Sequence, residues 1–171
     1  LNELRQREEQ LRLALESAGL GMWDRDLRTG QIYWDKRHRE IYGIPPDQPP
    51  DPALLDRGVA AHDRERIAKA IRDAEDPSLP DEFTEEFRYS RPDGSVRWLV
   101  AHGMALFEGS GPTRRAVRFV GTIQDVTAAR EAAIERERLA LSVESSSEFI
   151  ALTDMEGNCA YVNDHVMDVR C

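Results

Sequence analysis

Cysteine is nearly absent: the 171 residues contain two, Cys159 and Cys171, both in the last 13 positions. The body of the chain therefore has no disulfide framework, and a reducing, cytoplasmic setting is expected. No apolar run approaches the roughly 20 residues of a bilayer span. The opening stretch also lacks the layout of a signal peptide, although a longer parent protein is free to carry a membrane anchor elsewhere. Basic residues are outnumbered, 23 Lys and Arg against 32 Asp and Glu, for a net charge of −9. That balance argues against a nucleic-acid or anionic-membrane partner, because both require a basic face. Catalytic layouts are missing too: there is no nucleophile elbow, no phosphate-cradling glycine loop and no metal-spaced set of His, Asp and Glu. Gly109-Ser-Gly-Pro112 is a hairpin loop with no helix after it, and His38, His62, His102 and His165 are scattered and expected to serve in packing. As it stands, the chain is not expected to be an enzyme.

What is present is strong periodicity. Leu1, Leu4, Glu8, Leu11, Leu15 and Ala18 repeat at intervals of three and four, a short heptad seam on a helix over residues 1–18. Gly19 and Gly21 break it. Met22–Leu27 and Gln31–Trp34 read as strands around the turn Arg28-Thr-Gly30, and Lys36–Tyr42 reads as a short helix closed by Gly43. Pro45, Pro46, Pro49, Pro50 and Pro52 predict extended loop. A longer helix follows from His62 to Glu75, with Ile67, Ala70, Ile71 and Ala74 on one face. The period then drops to two: Phe83, Glu85, Phe87 and Tyr89 alternate with polar residues up to the turn Arg91-Pro-Asp-Gly94. Val96–Phe107 is apolar on both faces, so both faces should be covered. Arg115–Val126 returns as the last strand. The order β-β-α-α-β-β-β implies an α+β domain, an antiparallel sheet with helices on one face.

The last strand runs through Asp125-Val-Thr127 directly into a segment rich in Glu, Arg, Ala and Leu. Thr127 is expected to cap that helix with its hydroxyl, and Glu131 to favour its first turn. A shift of 128 positions aligns Leu11, Leu13, Leu15, Glu16 and Ser17 with Leu139, Leu141, Val143, Glu144 and Ser145, and Asp26 with Asp154. It also carries the first seam onto Ala129, Ala132, Arg136, Leu139, Val143 and Ser146. A second copy of the domain thus begins near the end of the chain. The expected organisation is a coiled-coil-like helix at 1–18, a domain at 19–127, a connector helix at 128–146 and the start of a second domain at 147–171.

Gly-Met-Trp-Asp24, Thr-Gly30, His62-Asp-Arg64, Phe87-Arg-Tyr89, Arg91-Pro-Asp-Gly94, Arg97-Trp98, Phe119-Val-Gly121 and Asp125-Val-Thr127 together resemble a PAS domain with its C-terminal PAC motif. They are most similar to the subfamily with an Arg-Trp pair after the Asp-Gly turn. The sequence departs from the family in lacking the Pro-Asp usual between the His and Asp-Arg at the entry to the long helix. The resemblance implies the strand order 2-1-5-4-3. It also implies a sensory and dimerisation module of a histidine kinase or cyclic-dinucleotide enzyme, flanked by signalling helices, with an effector domain elsewhere in the same chain. A ligand-free module that only dimerises and relays is the alternative.

By the same comparison Trp23, Arg25, Leu99, Ala101, Gly103, Phe119, Gly121 and Ile123 lie under the helices, and their small members leave room for a pocket. Arg25 requires an internal acid or an anionic ligand. The ligand is not identified. Haem is not expected, because His62 stands at the solvent side of the long helix. Flavin is not expected either: Leu99 and Ile123 replace the family's flavin-binding Asn and Gln, and Gly157-Asn-Cys159 falls in a hairpin turn. The outer face, with Trp98, Val100, His102, Met104, Val120 and Thr122, is apolar enough to need the N-terminal helix or a second subunit. Asp125, Thr127 and Arg136, the last at a seam position, are the expected relay residues.

Overall fold

A computed structural model describes residues 2–144, 151–155 and 159–162. Its contacts divide the chain into residues 1–127 and 128–171. In the first unit α1 (Asn2–Ser17) leads to β1 (Gly21–Asp26) and β2 (Ile32–Trp34). Three helices follow, α2 (Lys36–Tyr42), α3 (Pro52–Gly58) and α4 (Ala61–Glu75), and then β3 (Glu82–Ser90), β4 (Val96–Glu108) and β5 (Arg115–Asp125). The strands form one antiparallel sheet in the order β2-β1-β5-β4-β3. This is the expected order.

Alternation places the core. Phe83, Phe87 and Tyr89 on β3, Leu99, Ala101 and Ala105 on β4, and Phe119 and Ile123 on β5 are buried, and Ile41, Tyr42 and Ala74 of the helices, with Val59 just after α3, pack against them. Of the polar residues between them on β3, Thr84, Glu86 and Arg88 are exposed and Glu85 is half-buried. The β3–β4 turn closes through Gly94, whose φ of 84° is the left-handed conformation that a residue without Cβ adopts freely.

The proline-rich segment is corrected by the structure: its last proline starts α3. The Asp51 carboxylate accepts the Ala53 N–H at 2.9 Å, and Pro52 occupies the first turn, where its missing N–H costs nothing. The outer sheet face is partly open in the single chain. Met104 and Leu106 are exposed and Trp98, Val100, Val120 and Thr122 half-buried. The α1 residues proposed to cover that face, Leu4 and Leu11, are 64% and 59% exposed, while Leu15 is half-buried and Leu1 lies outside the described residues.

The second unit holds all of α5 (Thr127–Glu144) but its first residue; Ile134, Leu139 and Leu141 lie on the surface of this helix, and Arg136 is exposed with Nε donating to the Ala132 carbonyl at 3.3 Å. β6 (Ala151–Thr153) and β7 (Cys159–Val162) pair as an antiparallel hairpin in which Cys159 opens the second strand rather than sitting in the turn. Ser145, Ser146 and Gly157-Asn158 of the expected repeat lie outside the described residues.

Candidate functional site

A cavity of about 170 Å³ lies between the sheet and the three helices. Trp23, Phe83, Phe87, Ala101 and Phe119 form its sheet wall; Leu55 comes from α3 and Val59 from the residue just after it, Ile67 and Ile71 from α4, and Trp34, His38 and Tyr42 from β2 and α2. The aromatic side chains lock one another. Trp23 meets Phe83 edge-on at 6.5 Å, Phe83 meets Phe119 at 5.7 Å, and His38 stacks on Trp34 with centroids 5.0 Å apart.

Four of the eight expected pocket residues, Trp23, Arg25, Ala101 and Phe119, line the cavity. The other four serve it from behind. Leu99 and Ile123 are core residues with 0% exposure. Gly103 and Gly121, expected to leave space, instead make room for the indole of Trp23: a Cβ on Gly121 would lie 2.3 Å from its Cζ2, and one on Gly103 2.9 Å from the same atom. The small residues are filled from β1, and the open volume sits nearer α3 and α4. Arg25 takes the internal-acid alternative, with Nη1 3.7 Å from Glu75 Oε1. That distance is an ion pair without a hydrogen bond, and both side chains keep contact with solvent.

Sequence reasoning gave His38 a packing role and left it out of the pocket. Its N–H donates to Asp35 Oδ1 at 2.7 Å, which caps α2 and turns the helix face of His38, Ile41 and Tyr42 inward. The side chain is 1% exposed, and burial, helped by Arg39, pushes its pKa down to about 3. His38 Nδ1 is buried and has no hydrogen-bond partner. Burial likewise raises the Tyr42 hydroxyl far above its ordinary value. The signal was available in the sequence, since His38, Ile41 and Tyr42 follow the helical spacing of a buried face. His62, by contrast, is exposed, beside Asp63 at 3.4 Å, and is not among the residues lining the cavity.

At the end of β5 the joint differs from the expected cap. Thr127 Oγ1 accepts the Trp98 N–H at 2.9 Å and donates to Asp125 Oδ1 at 2.5 Å; Asp125 Oδ1 also accepts the Thr127 N–H at 3.0 Å. The hydroxyl therefore fastens the first residue of α5 to β4, and Asp125 does the capping. Val126 extends the ladder by donating to the Trp98 carbonyl at 2.9 Å. Two cations surround Asp125: Arg91 Nη2 at 3.6 Å and Arg97 Nε at 3.9 Å, and Arg91 Nε in turn donates to the Ile41 carbonyl of α2 at 2.7 Å.

Residues 31–123, more than half of the chain, match the family model described as PAS fold. The chain is 30% identical over 171 residues to "Probable diguanylate cyclase DgcE" of Escherichia coli K12, covering 95% of this chain and 15% of that protein. It is 30% identical over 128 residues to "Blue-light-activated histidine kinase" of Brucella anthropi (75% and 24%) and 30% over 108 residues to "Sensor protein FixL" of Bradyrhizobium diazoefficiens (63% and 21%). It thus spans a quarter or less of these relatives. Among solved structures, a sensory box histidine kinase/response regulator from Burkholderia thailandensis superposes with a TM-score of 0.59 at 28% identity, over 77% of this chain and 97% of that one. The N-terminal domain of a diguanylate cyclase with PAS/PAC sensor from Marinobacter aquaeolei shares the fold at a TM-score of 0.55 and 13% identity, over 65% and 98%.

Proposed function

Because the chain belongs to the PAS-fold family, we propose that it is the sensory input module of a longer signalling protein with a histidine kinase or diguanylate cyclase output. Occupancy of the cavity under the helices would be read at the Asp125–Thr127 joint. One observation carries this reading: β4 and β5 bear both the cavity wall, at Ala101 and Phe119, and the joint, at Trp98 and Asp125. Ala101 and Trp98 are three residues apart, roughly 10 Å along an extended strand. A change of packing at the wall has only that length of rigid ladder to cross before it reaches Thr127.

The residues present do not fit a flavin. Leu99 and Ile123, which the resemblance sets in place of the flavin-binding Asn and Gln, are hydrocarbon and lie behind the wall, and the cavity is smaller than the roughly 300–1,000 Å³ of pockets that enclose drug-sized ligands. Haem lacks an inward ligand on α4, since His62 is exposed. A compact molecule is the better occupant. The ligand-free relay draws its support from Trp23, whose indole already fills the space above Gly103 and Gly121.

The output half of the reading rests on a homodimer in which α1 and the outer sheet face are covered by a second copy. The seam of α5 would shift against its mate, and Arg136 would keep two packings close in energy. Replacing Arg136 by Leu in the longer protein tests this: an output fixed on or fixed off is expected, and an unchanged response to stimulus would reduce α5 to a spacer. The β6–β7 hairpin is in this reading the first hairpin of a second such domain.

A further inference from the structure

Among the described residues that line the cavity, Arg25 is the only Arg or Lys. It stands on the inward face of β1, two residues after Trp23, and its register partners Ile32 and Phe119 belong to the same lining. Its side chain is 44% exposed, so the residue meets solvent on one side and the cavity on the other. Within the described residues its guanidinium pairs with one acid, Glu75, at 3.7 Å, a contact that spends none of its N–H donors on a hydrogen bond. We propose that the cavity binds a small aromatic monocarboxylate, its ring among Trp23, Phe83, Phe87 and Phe119 and its carboxylate on the Arg25 guanidinium. The inference rests on the reading of this cavity as the sensory site and names the class of its ligand.

Size, shape and charge select that class. About 170 Å³ is close to the ~150 Å³ apolar cavity that accepts a single benzene ring, so the ring fills the interior and the carboxylate is left beside Arg25, where it keeps part of its hydration. The wall supplies aromatic edges and faces, which favour a flat ring over a branched aliphatic chain. The carboxylate gains without a matching loss: it takes two parallel N–H···O bonds from a guanidinium, and the 3.7 Å contact to Glu75 has none to give up. Glu75 offsets part of the Arg25 charge and Asp56 lines the same cavity, so a single negative charge is matched where a phosphate or a dicarboxylate is repelled. A cationic ligand would share the cavity with Arg25 and have Asp56 as its acid, and ion pairs to exposed carboxylates contribute little.

Calorimetric titration of the purified chain with benzoate, benzamide and benzylamine tests the proposal, because the three carry the same ring and differ in charge. Benzoate is expected to bind about tenfold more tightly than benzamide, the lower end of what a hydrogen bond to a charged group contributes. The Arg25→Gln variant, with its fold checked by thermal melting, is expected to bind the two equally. Benzamide binding to the wild-type chain as tightly as benzoate would overturn the carboxylate assignment while leaving the cavity a ligand site, and that comparison needs no variant. A benzoate preference that survives in Arg25→Gln would overturn the assignment to Arg25, and benzylamine as the tightest of the three would overturn it in favour of Asp56. If none of the three binds, the inference falls, and benzene-saturated buffer then decides the sensory reading: shifted amide resonances of Ala101 and Phe119 keep the cavity a ligand site, and unmoved ones overturn both.

Discussion

His38 is the residue whose chemistry the fold constrains most. Its imidazole takes up a proton near pH 6.5 when exposed but only at about pH 3 in the folded chain. Between those values the unfolded chain holds the extra proton, so stability is full above pH 6.5, declines as pH falls and reaches its floor below 3. The slope is at most about 1.4 kcal/mol per pH unit. Urea midpoints are therefore expected to drop between pH 7 and pH 5, above the range where Asp26, Asp63, Asp76 and Asp93, whose carboxyls are held below their ordinary values by hydrogen bonds, begin to protonate. In His38→Phe that drop should flatten; a decline of the same size would assign it to other groups. Gly121 makes the second prediction at this scale. Its Cβ would meet the Trp23 indole at 2.3 Å and the His102 carbonyl at 2.3 Å. Gly121→Ala is expected to cost about 1–3 kcal/mol, the usual range for overpacking, read from chemical denaturation with loss of the native Trp23 fluorescence environment. An unchanged midpoint would mean that the indole moves aside freely.

Elements divide into those that pattern alone specifies and those that tertiary contact decides. Strand alternation, the Asp-Gly turn and the helical spacing of Ile67, Ala70, Ile71 and Ala74 placed every strand of the sheet and its order through the resemblance they carried. α3 was missed because five prolines in eight residues were read as one signal; Pro52 behind Asp51 is instead a helix start, and the difference is a matter of one position. The pocket was half legible. Alternation identified which residues face inward, yet it carries no information on how far a side chain leans, and Trp23 leans across two strands to lie over Gly121 and Gly103. Thr127 shows the same limit: a hydroxyl at a helix start reads as a cap, but the neighbouring strand presents the Trp98 N–H to it first. Thr127→Val keeps the shape and removes both hydroxyl hydrogen bonds. It is expected to cost roughly 1–3 kcal/mol and to speed amide exchange at Trp98; exchange as slow as in the wild-type chain would show that another acceptor replaces the hydroxyl.

For the whole molecule, the exposed leucines of α1 and the apolar outer face are the surfaces that a second copy would cover. Burial is worth about 1.5–3 kcal/mol for each such side chain, so light scattering is expected to show a dimer at micromolar concentration, and Leu11→Glu or Met104→Glu to shift it toward monomer. A wild-type monomer would remove the dimer from the account. The central claim, however, concerns what passes through one copy: a change in the cavity must reach the joint. Amide resonances of the isotopically labelled chain, compared with and without benzene-saturated buffer, test it most directly, because benzene fills an apolar cavity of this size without needing His38. The account predicts that the amides of Trp98 and Thr127 move together with those of Ala101 and Phe119. Shifts confined to the cavity wall, with Trp98 and Thr127 unmoved at saturation, would contradict it.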